Sequence, residues 1–206
     1  MNLDNYYYYF QNAIPERICN EIIAWGNYQR EELAVTGGFE KNNLSKEQKK
    51  KLKKIRNSNV AWLNDPWIYN EIIPYIKEAN IKAGWNFQWD NSETCQFTKY
   101  KLNQYYHWHC DSYQFPFNTP NDPIKHGKIR KLSVTVSLSN PEEYKGGELQ
   151  FDCLNKHRKS NIITCKEILP KGSLVVFPSF VWHQVKPVTK GTRYSLVIWN
   201  LGDPFK

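Results

Sequence analysis

The sequence predicts a mainly β fold braced by N-terminal helices, an α+β chain built on a jelly roll. Two observations carry that expectation. Apolar residues recur with a period of about 3.6 as far as Gly84 and with a period of about 2 beyond it. Past Gly84 the strand-like runs are also short, numerous, separated by turn residues and free of intervening helices. A sheet that must bury one face without helices to cover it closes into a sandwich or barrel. The 206 residues are enough for one unit with a sizeable core.

Taken in order, Pro15 suits a first helical position, Ile18, Ile22, Ile23 and Trp25 follow at helical spacing, and Gly26 ends the run. The stretch 41–56 holds eight basic residues and one acid. Ser45 and Gln48 form a capping box at its start, and Leu44, Leu52 and Ile55 give it a weak apolar stripe. It reads as a solvated helix, with a docking patch for an acidic partner or nucleic acid as the sharper alternative. After Asp65, Pro66 opens another helix carrying Trp67, Ile68, Ile72, Ile73, Ile76, Ala79 and Ala83, and Gly84 stops it. Pro74 inside this pattern should kink or divide it. Residues 1–85 are thus a helical support region and 86–206 the barrel core, together one folding unit.

Candidate strands are 87–89, 94–100, 105–111, 131–139, 147–153, 162–169, 173–177, 182–188 and 193–200. Turns at Asn140-Pro141, Gly146-Gly147, Lys171-Gly172 and Lys190-Gly191 separate several of them.

Composition bounds the class. Aromatics are 15% of the chain and the net charge is +8. No apolar run approaches the roughly 18 residues of a membrane span, and MNLDNYYYYF does not read as a charged n-region followed by an apolar h-region. A soluble, cytoplasmic protein with no membrane partner is expected. Cys19, Cys95, Cys110, Cys153 and Cys165 are odd in number and show no CxxC, so free thiols in a reducing compartment are expected.

The chemistry concentrates in YHWHCDSY at 106–113. On a regular strand His107, His109 and Asp111 share one face, and Trp108 and Cys110 the other. A His-x-Asp pair alone is weak. Some seventy residues later an apolar strand ends at Pro178 and the next opens with His183. Arg193 follows, with Ser195, Val197 and Trp199 on its face. An arginine directed into a small barrel is costly unless an anion meets it. Two histidines and one carboxylate make the facial set of non-haem Fe(II) oxygenases. Using His107 with His109 would suggest a cupin-type site, but the following glutamate is missing: Gln114 is nearest and Glu142 far off. His107 is therefore read as a rim residue, and His126 and His157 as solvated loop residues.

In these motifs the chain resembles the Fe(II)- and 2-oxoglutarate-dependent dioxygenases, in particular the prolyl 4-hydroxylase-like branch with its double-stranded β-helix. The residues that carry the resemblance are Tyr100, Tyr106, His109 and Asp111, then Gly146-Gly147-Glu148-Leu149, then His183, Val185, Pro187-Val188, Gly191, Arg193, Ser195 and Trp199. They span roughly residues 94 to 201. Asn103 stands where the family usually has Gly, and Asn tolerates the left-handed turn.

The resemblance implies that His109, Asp111 and His183 hold Fe(II). It implies 2-oxoglutarate as co-substrate, ascorbate as an optional accessory, and Arg193 clamping the distal carboxylate, with Lys131 the next basic residue for that job. Tyr100 is then the hydroxyl nearest the co-substrate, with Ser195, Thr135, Gln96 and Trp199 as further lining. It implies hydroxylation of a C–H bond, with release of succinate and CO2. A protein or peptide substrate, peptidyl proline first, is expected. The alternatives are nucleic-acid oxidation, either demethylation or hydroxylation, and a non-catalytic binding module on the same barrel. Tyr106, Trp108, Tyr113, Phe115 and Phe117 offer aromatic lining for a peptide groove, and 112–130 reads as a lid or substrate loop.

Overall fold

In the computed structural model, which describes residues 5–34, 45–112, 115–153 and 161–205, two antiparallel sheets face each other and helices cover one of them. Among the described residues the larger sheet runs β1 (Tyr8–Phe10), β12 (Leu174–Pro178), β8 (Ile129–Ser137), β15 (Arg193–Gly202), β6 (Cys95–Tyr100), β4 (Asn59–Leu63) and β2 (Glu32–Leu33), with β5 (Asn91–Ser92) also paired to β15. The smaller sheet runs β11 (Ile162–Thr164), β10 (Leu149–Asp152), β13 (His183–Val185), β7 (Tyr105–His109) and β3 (Arg56–Asn57). A short ladder joins β9 (Tyr144–Gly146) to β14 (Val188–Gly191). The architecture is the expected double-stranded β-helix.

Side-chain alternation sorts chemistry from support. On β8, Leu132, Val134 and Val136 are buried with the helices, while Ser133, Thr135 and Ser137 point to the opposite face. On β15, Leu196 and Ile198 join the helical side, and Arg193, Ser195, Val197 and Trp199 alternate away from it. The helices α1 (Glu16–Tyr28) and α3 (Pro66–Lys82) contribute Ile18, Ile22, Ile68, Ile72, Ile76 and Ala79 to that outer core. A second core lies between the sheets, where Val175 and Phe177 of β12 meet Leu149, Phe151 and Val185 of the smaller sheet. One face of the larger sheet is thus anchored by oil, which frees the other to carry polar groups.

Several expectations change. Gly26 does not end the first helix: α1 runs two residues further, and Pro15 is its N-cap, one place before the first helical residue. Gly26 instead permits a close approach, because a Cβ there would sit 2.4 Å from the Phe97 ring. Gly26→Ala should therefore destabilise the fold by about 1–3 kcal/mol, although alanine is the better helix former. Urea unfolding checks it, and a more stable variant would contradict the packing. Pro74 does not divide α3, which is one helix ended as expected by Gly84 at φ 77°.

Residues 87–89 are not a strand, and the 105–111 strand ends at His109. The 162–169 strand shrinks to Ile162–Thr164, and the 182–188 run yields Val188 to β14. The stretch before residue 85, read as helical, also supplies β1 to β4, which pair into both sheets. The helix α2 (Lys46–Ile55) has the expected Ser45–Gln48 capping box. Lys50, Lys51, Lys53 and Lys54 are exposed, as the solvated reading requires, and Leu52 is buried. Leu44 lies outside the described residues. No disulfide joins any of the five cysteines, and only Cys110 is not buried. Among the described residues no helix is long and apolar enough to cross a membrane.

Candidate active site

His109 closes β7 and His183 opens β13, and the antiparallel register sets them directly opposite each other. Asp111 follows two residues beyond His109. Its backbone N–H donates to the Ser179 carbonyl at 2.8 Å, which curls the chain back toward the histidines. The potential ligand atoms of the three lie within 4.8 Å of one another. His109 Nε2 is 3.7 Å from Asp111 Oδ1, and His183 Nε2 is 3.6 Å from Asp111 Oδ2.

Each imidazole has its tautomer fixed from behind. His109 Nδ1–H donates to the His107 carbonyl at 2.7 Å, and His183 Nδ1–H to the Val181 carbonyl at 3.0 Å. A carbonyl only accepts, so both Nε2 lone pairs remain for a metal. Burial, and then the neighbouring His183, push His109 well below the ordinary histidine range, so it is neutral near pH 7. Burial pushes the Asp111 carboxyl up, but His183, His109, Arg130 and the Ser133 hydrogen bond outweigh it and hold it at about 2. Ser133 Oγ donates to Asp111 Oδ2 at 2.7 Å and lies 2.9 Å from Ser179 Oγ. Nitrogen lone pairs and an ionised oxygen converging on one point, with their outer atoms already bonded, are the donor set a divalent transition metal takes. These residues fit Fe(II).

His107 does not share their face. The register slips between His183 and Val185: His183 opposes His109, but Val185 opposes Tyr106, three positions back rather than two. The bulge shifts the side-chain phase. His107 is exposed, its ring edge against Tyr105. Tyr106 takes the inward place and stacks on His109 with centroids 3.4 Å apart.

One pocket gathers His109, Asp111 and His183 with Gln96, Tyr100, Thr135, Arg193, Ser195 and Trp199. The register explains the grouping. On β6 and β15, Tyr100 opposes Arg193, Thr98 opposes Ser195 and Gln96 opposes Val197, while Val197 also opposes Thr135 of β8. Arg193 is 2% exposed; its Nη1 donates to Ser195 Oγ at 3.1 Å, and its guanidinium lies 5.5 Å from the Tyr100 ring centroid. Among the described residues no acid pairs with it. Gly147 at φ 68° makes room, since a Cβ there would be 2.9 Å from Arg193 Cδ. Lys131 is elsewhere, with its ammonium 3.5 Å from the Phe205 ring centroid in a separate hollow.

Arg56 is the residue that the sequence hid. It follows α2 as the first residue of β3, pairs with Tyr106, and holds its guanidinium 4.5 Å from that ring. Its Nε donates to Ser58 Oγ at 2.9 Å and its Nη1 to Gln96 Oε1 at 3.3 Å. Both Arg56 Nη2 and Trp199 Nε1 are buried without a hydrogen-bond partner, and both residues line the pocket. Inside a run of exposed lysines Arg56 looked like one more solvated charge. Only its pairing with Tyr106 marks it as an interior group.

At the rim, Arg130 lies 3.9 Å from the Trp199 ring centroid and grips Glu93 through two hydrogen bonds of 2.5 and 3.0 Å. Burial pushes the Glu93 carboxyl up, but Arg130 and Lys125 outweigh it and hold the pKa below the ordinary value. A carboxyl depressed in the folded state stabilises above its unfolded pKa of about 4.3, and the contribution is lost as pH falls through the folded value. The stability gap between wild type and Glu93→Gln should therefore shrink as unfolding is measured from pH 7 down through that range. A gap that widens on acidification would contradict the assignment. Of the expected groove aromatics, Tyr106 lines the pocket, Phe117 lies 5.9 Å from the Arg130 guanidinium and Phe115 is exposed. Trp108 is half-buried, and the loop residue His126 is exposed, as expected. Tyr113, Gln114 and His157 lie outside the described residues.

Residues 95–200 match the family model of the 2OG-Fe(II) oxygenase superfamily. The PKHD-type hydroxylase YbiX of Escherichia coli O1:K1 / APEC is 36% identical over 105 residues, covering 50% of this chain and 40% of that protein. That protein and the PKHD-type hydroxylase of Xylella fastidiosa (strain M23) are each matched over less than half their length. Among solved structures, the viral collagen prolyl hydroxylase of Paramecium Bursaria Chlorella virus-1, in a 2OG complex, aligns with a TM-score of 0.66 at 21% identity over 96% of this chain and 97% of that one. The Trichoplax adhaerens prolyl hydroxylase in complex with a hypoxia inducible factor peptide fragment aligns with a TM-score of 0.62 at 17% identity, covering 95% of this chain and 83% of that one. At these identities the two structures show a shared fold.

Proposed function

The chain belongs to the 2OG-Fe(II) oxygenase superfamily, and from that premise we propose that it is an Fe(II)- and 2-oxoglutarate-dependent dioxygenase that hydroxylates a C–H bond, with peptidyl proline as the preferred substrate. The observation that carries this reading is the shared pocket of His109, Asp111 and His183 with an acid-free Arg193. In it His109, Asp111 and His183 hold the iron. The bound metal supplies dioxygen activation, coupled to conversion of 2-oxoglutarate into succinate and CO2 and to insertion of the other oxygen atom into substrate.

The chain's own residues do the rest. Arg193 donates two parallel hydrogen bonds to the distal carboxylate of 2-oxoglutarate, and Ser195 aligns the guanidinium for it. Tyr100, Thr135 and Gln96 line the co-substrate, with Leu149, Val185 and Val197 excluding water around it. The unspent N–H donors of Arg56 and Trp199 answer further acceptors on co-substrate or substrate.

A peptide substrate is favoured by the aromatic side chains of Tyr106 and Trp199 in the pocket and of Phe117 beside Arg130, since extended proline-bearing segments dock on aromatic surfaces at little ordering cost. The likeness to folds whose names specify prolyl hydroxylation adds to it. The described lysines of α2 sit on an exposed helix and not in the pocket, which gives nucleic acid no matching support. A screen of 2-oxoglutarate turnover against proline-containing peptides and methylated or single-stranded oligonucleotides tests the reading. Peptides should stimulate succinate formation and gain one oxygen on proline. Oxidised oligonucleotides with untouched peptides would replace proline with the nucleic-acid reading, and no succinate with any of them would leave a binding module.

A further inference from the structure

Behind the metal-site histidine, on the other side of its strand, lies a second hollow that the chemistry above does not use. Its volume is about 220 Å³, and its walls include Tyr6, Asp152, Phe180, Val181 and Trp182. Asp152 follows the fully buried Phe151 in β10, and Trp182 precedes His183, so strand alternation turns both away from the catalytic pocket. The Asp152 N–H donates to the Trp182 carbonyl at 2.9 Å, which sets the two residues side by side, and both line the hollow.

Asp152 Oδ1 is buried and has no hydrogen-bond partner, and among the described residues no basic group pairs with Asp152. The nearest amide in the hollow is committed elsewhere: Asn5 Nδ2 donates to the Ala83 carbonyl at 3.1 Å. The aromatic walls are accessible, with Trp182 50% and Phe180 40% exposed. Phe180 is held in place by Phe87 and Phe205, at centroid distances of 6.3 and 6.1 Å. A different aromatic hollow, at Trp25, Tyr28 and Trp67, lacks this unspent charge, because Glu21 pairs with Arg17 and Asp65 accepts from the Trp25 indole.

A carboxylate with no counter-charge among the described residues, ringed by accessible aromatic faces, has the chemistry that receives an alkylammonium. The acid neutralises the charge, and the rings meet the cation and its methylenes. We propose that this hollow binds the ammonium group of a lysine-type side chain on a polypeptide partner. The proposal does not rest on the oxygenase reading: the hollow shares no lining residue with the metal and co-substrate pocket, and is linked to it through the Val181 carbonyl that accepts from His183.

The test uses the full chain without added iron, with Nα-acetyl-lysine amide as probe and its trimethylated form and the neutral norleucine analogue as comparators. The Trp182 indole N–H resonance, assigned through Trp182→Phe, is followed by NMR. Both ammonium probes should shift it saturably, norleucine amide should not, and Asp152→Asn should weaken the lysine probe at least tenfold while the other indole resonances stay in place. Phe180→Leu, which keeps bulk but removes the ring, should weaken it as well and decides the matter if Asp152→Asn disturbs the fold. Equal shifts with norleucine amide, or unchanged binding in both variants, would overturn the proposal. So would shifts that follow protein concentration instead of probe, which would mean that the hollow seats a second copy of the chain.

Discussion

His183→Ala and Asp111→Asn should each reduce succinate formation to background while leaving the double-sheet fold in place. The expectation rests on where these side chains sit. His183 offers its Nε2 to the metal position, and its Nδ1–H is spent on the Val181 carbonyl. Alanine removes a third of the donor set at once. Asn keeps the shape of Asp111 and a bond to Ser133, but not the negative charge that balances a divalent ion. Asp111 lies outside the apolar cores and His183 only borders one, with its ring centroid 4.7 Å from that of Phe177, so the far-ultraviolet circular dichroism should be preserved. Activity in His183→Ala equal to wild type would sink the metal assignment outright.

Arg193→Ala should raise the Michaelis constant for 2-oxoglutarate at least tenfold. A charge-assisted hydrogen bond is worth about 1.5–3 kcal/mol, and about 1.4 kcal/mol is a factor of ten. Arg193 is the buried cation on the β15 face, with Ser195 as its recorded hydrogen-bond partner, so its loss leaves a distal carboxylate desolvated and unanswered. Arg193→Lys should recover part of the loss, because it restores charge without the planar fork. The iron affinity should stay near that of wild type, which separates this effect from damage to the metal site. An unchanged constant would mean that another cation does the work, and Arg56, in the same pocket, becomes the group to test.

Much of this was legible in the sequence because it is local. The period change at Gly84 marked most of the barrel strands, and short motifs picked out His109, Asp111, His183 and Arg193, which the structure gathers in one pocket. The first follows from side-chain alternation along single strands, the second from motifs each local in sequence. What escaped depends on pairing. β1 to β4 are short segments whose strand character comes from the neighbours they join, such as Val176 opposite Tyr8 and Phe97 opposite Ala61. Strict alternation put His107 beside His109, and the bulge opposite His183 reversed its place with Tyr106. Gly26 looked like a stop because its real constraint, the Phe97 ring, lies on a distant strand. Arg56 escaped for the same reason, since nothing in a lysine-rich run announces that its last member stacks on Tyr106.

In the proposed site His109, Asp111 and His183 hold iron in a pocket where Arg193 receives 2-oxoglutarate. An anaerobic titration of the metal-free chain with Fe(II) and then 2-oxoglutarate, followed by visible absorption, tests it most directly. One iron per chain and a metal-to-ligand charge-transfer band that requires both additions are expected. That band should be absent in Asp111→Asn and should need far more 2-oxoglutarate in Arg193→Ala. Iron and 2-oxoglutarate bound without such a band, or a band of full strength in Asp111→Asn, would contradict it.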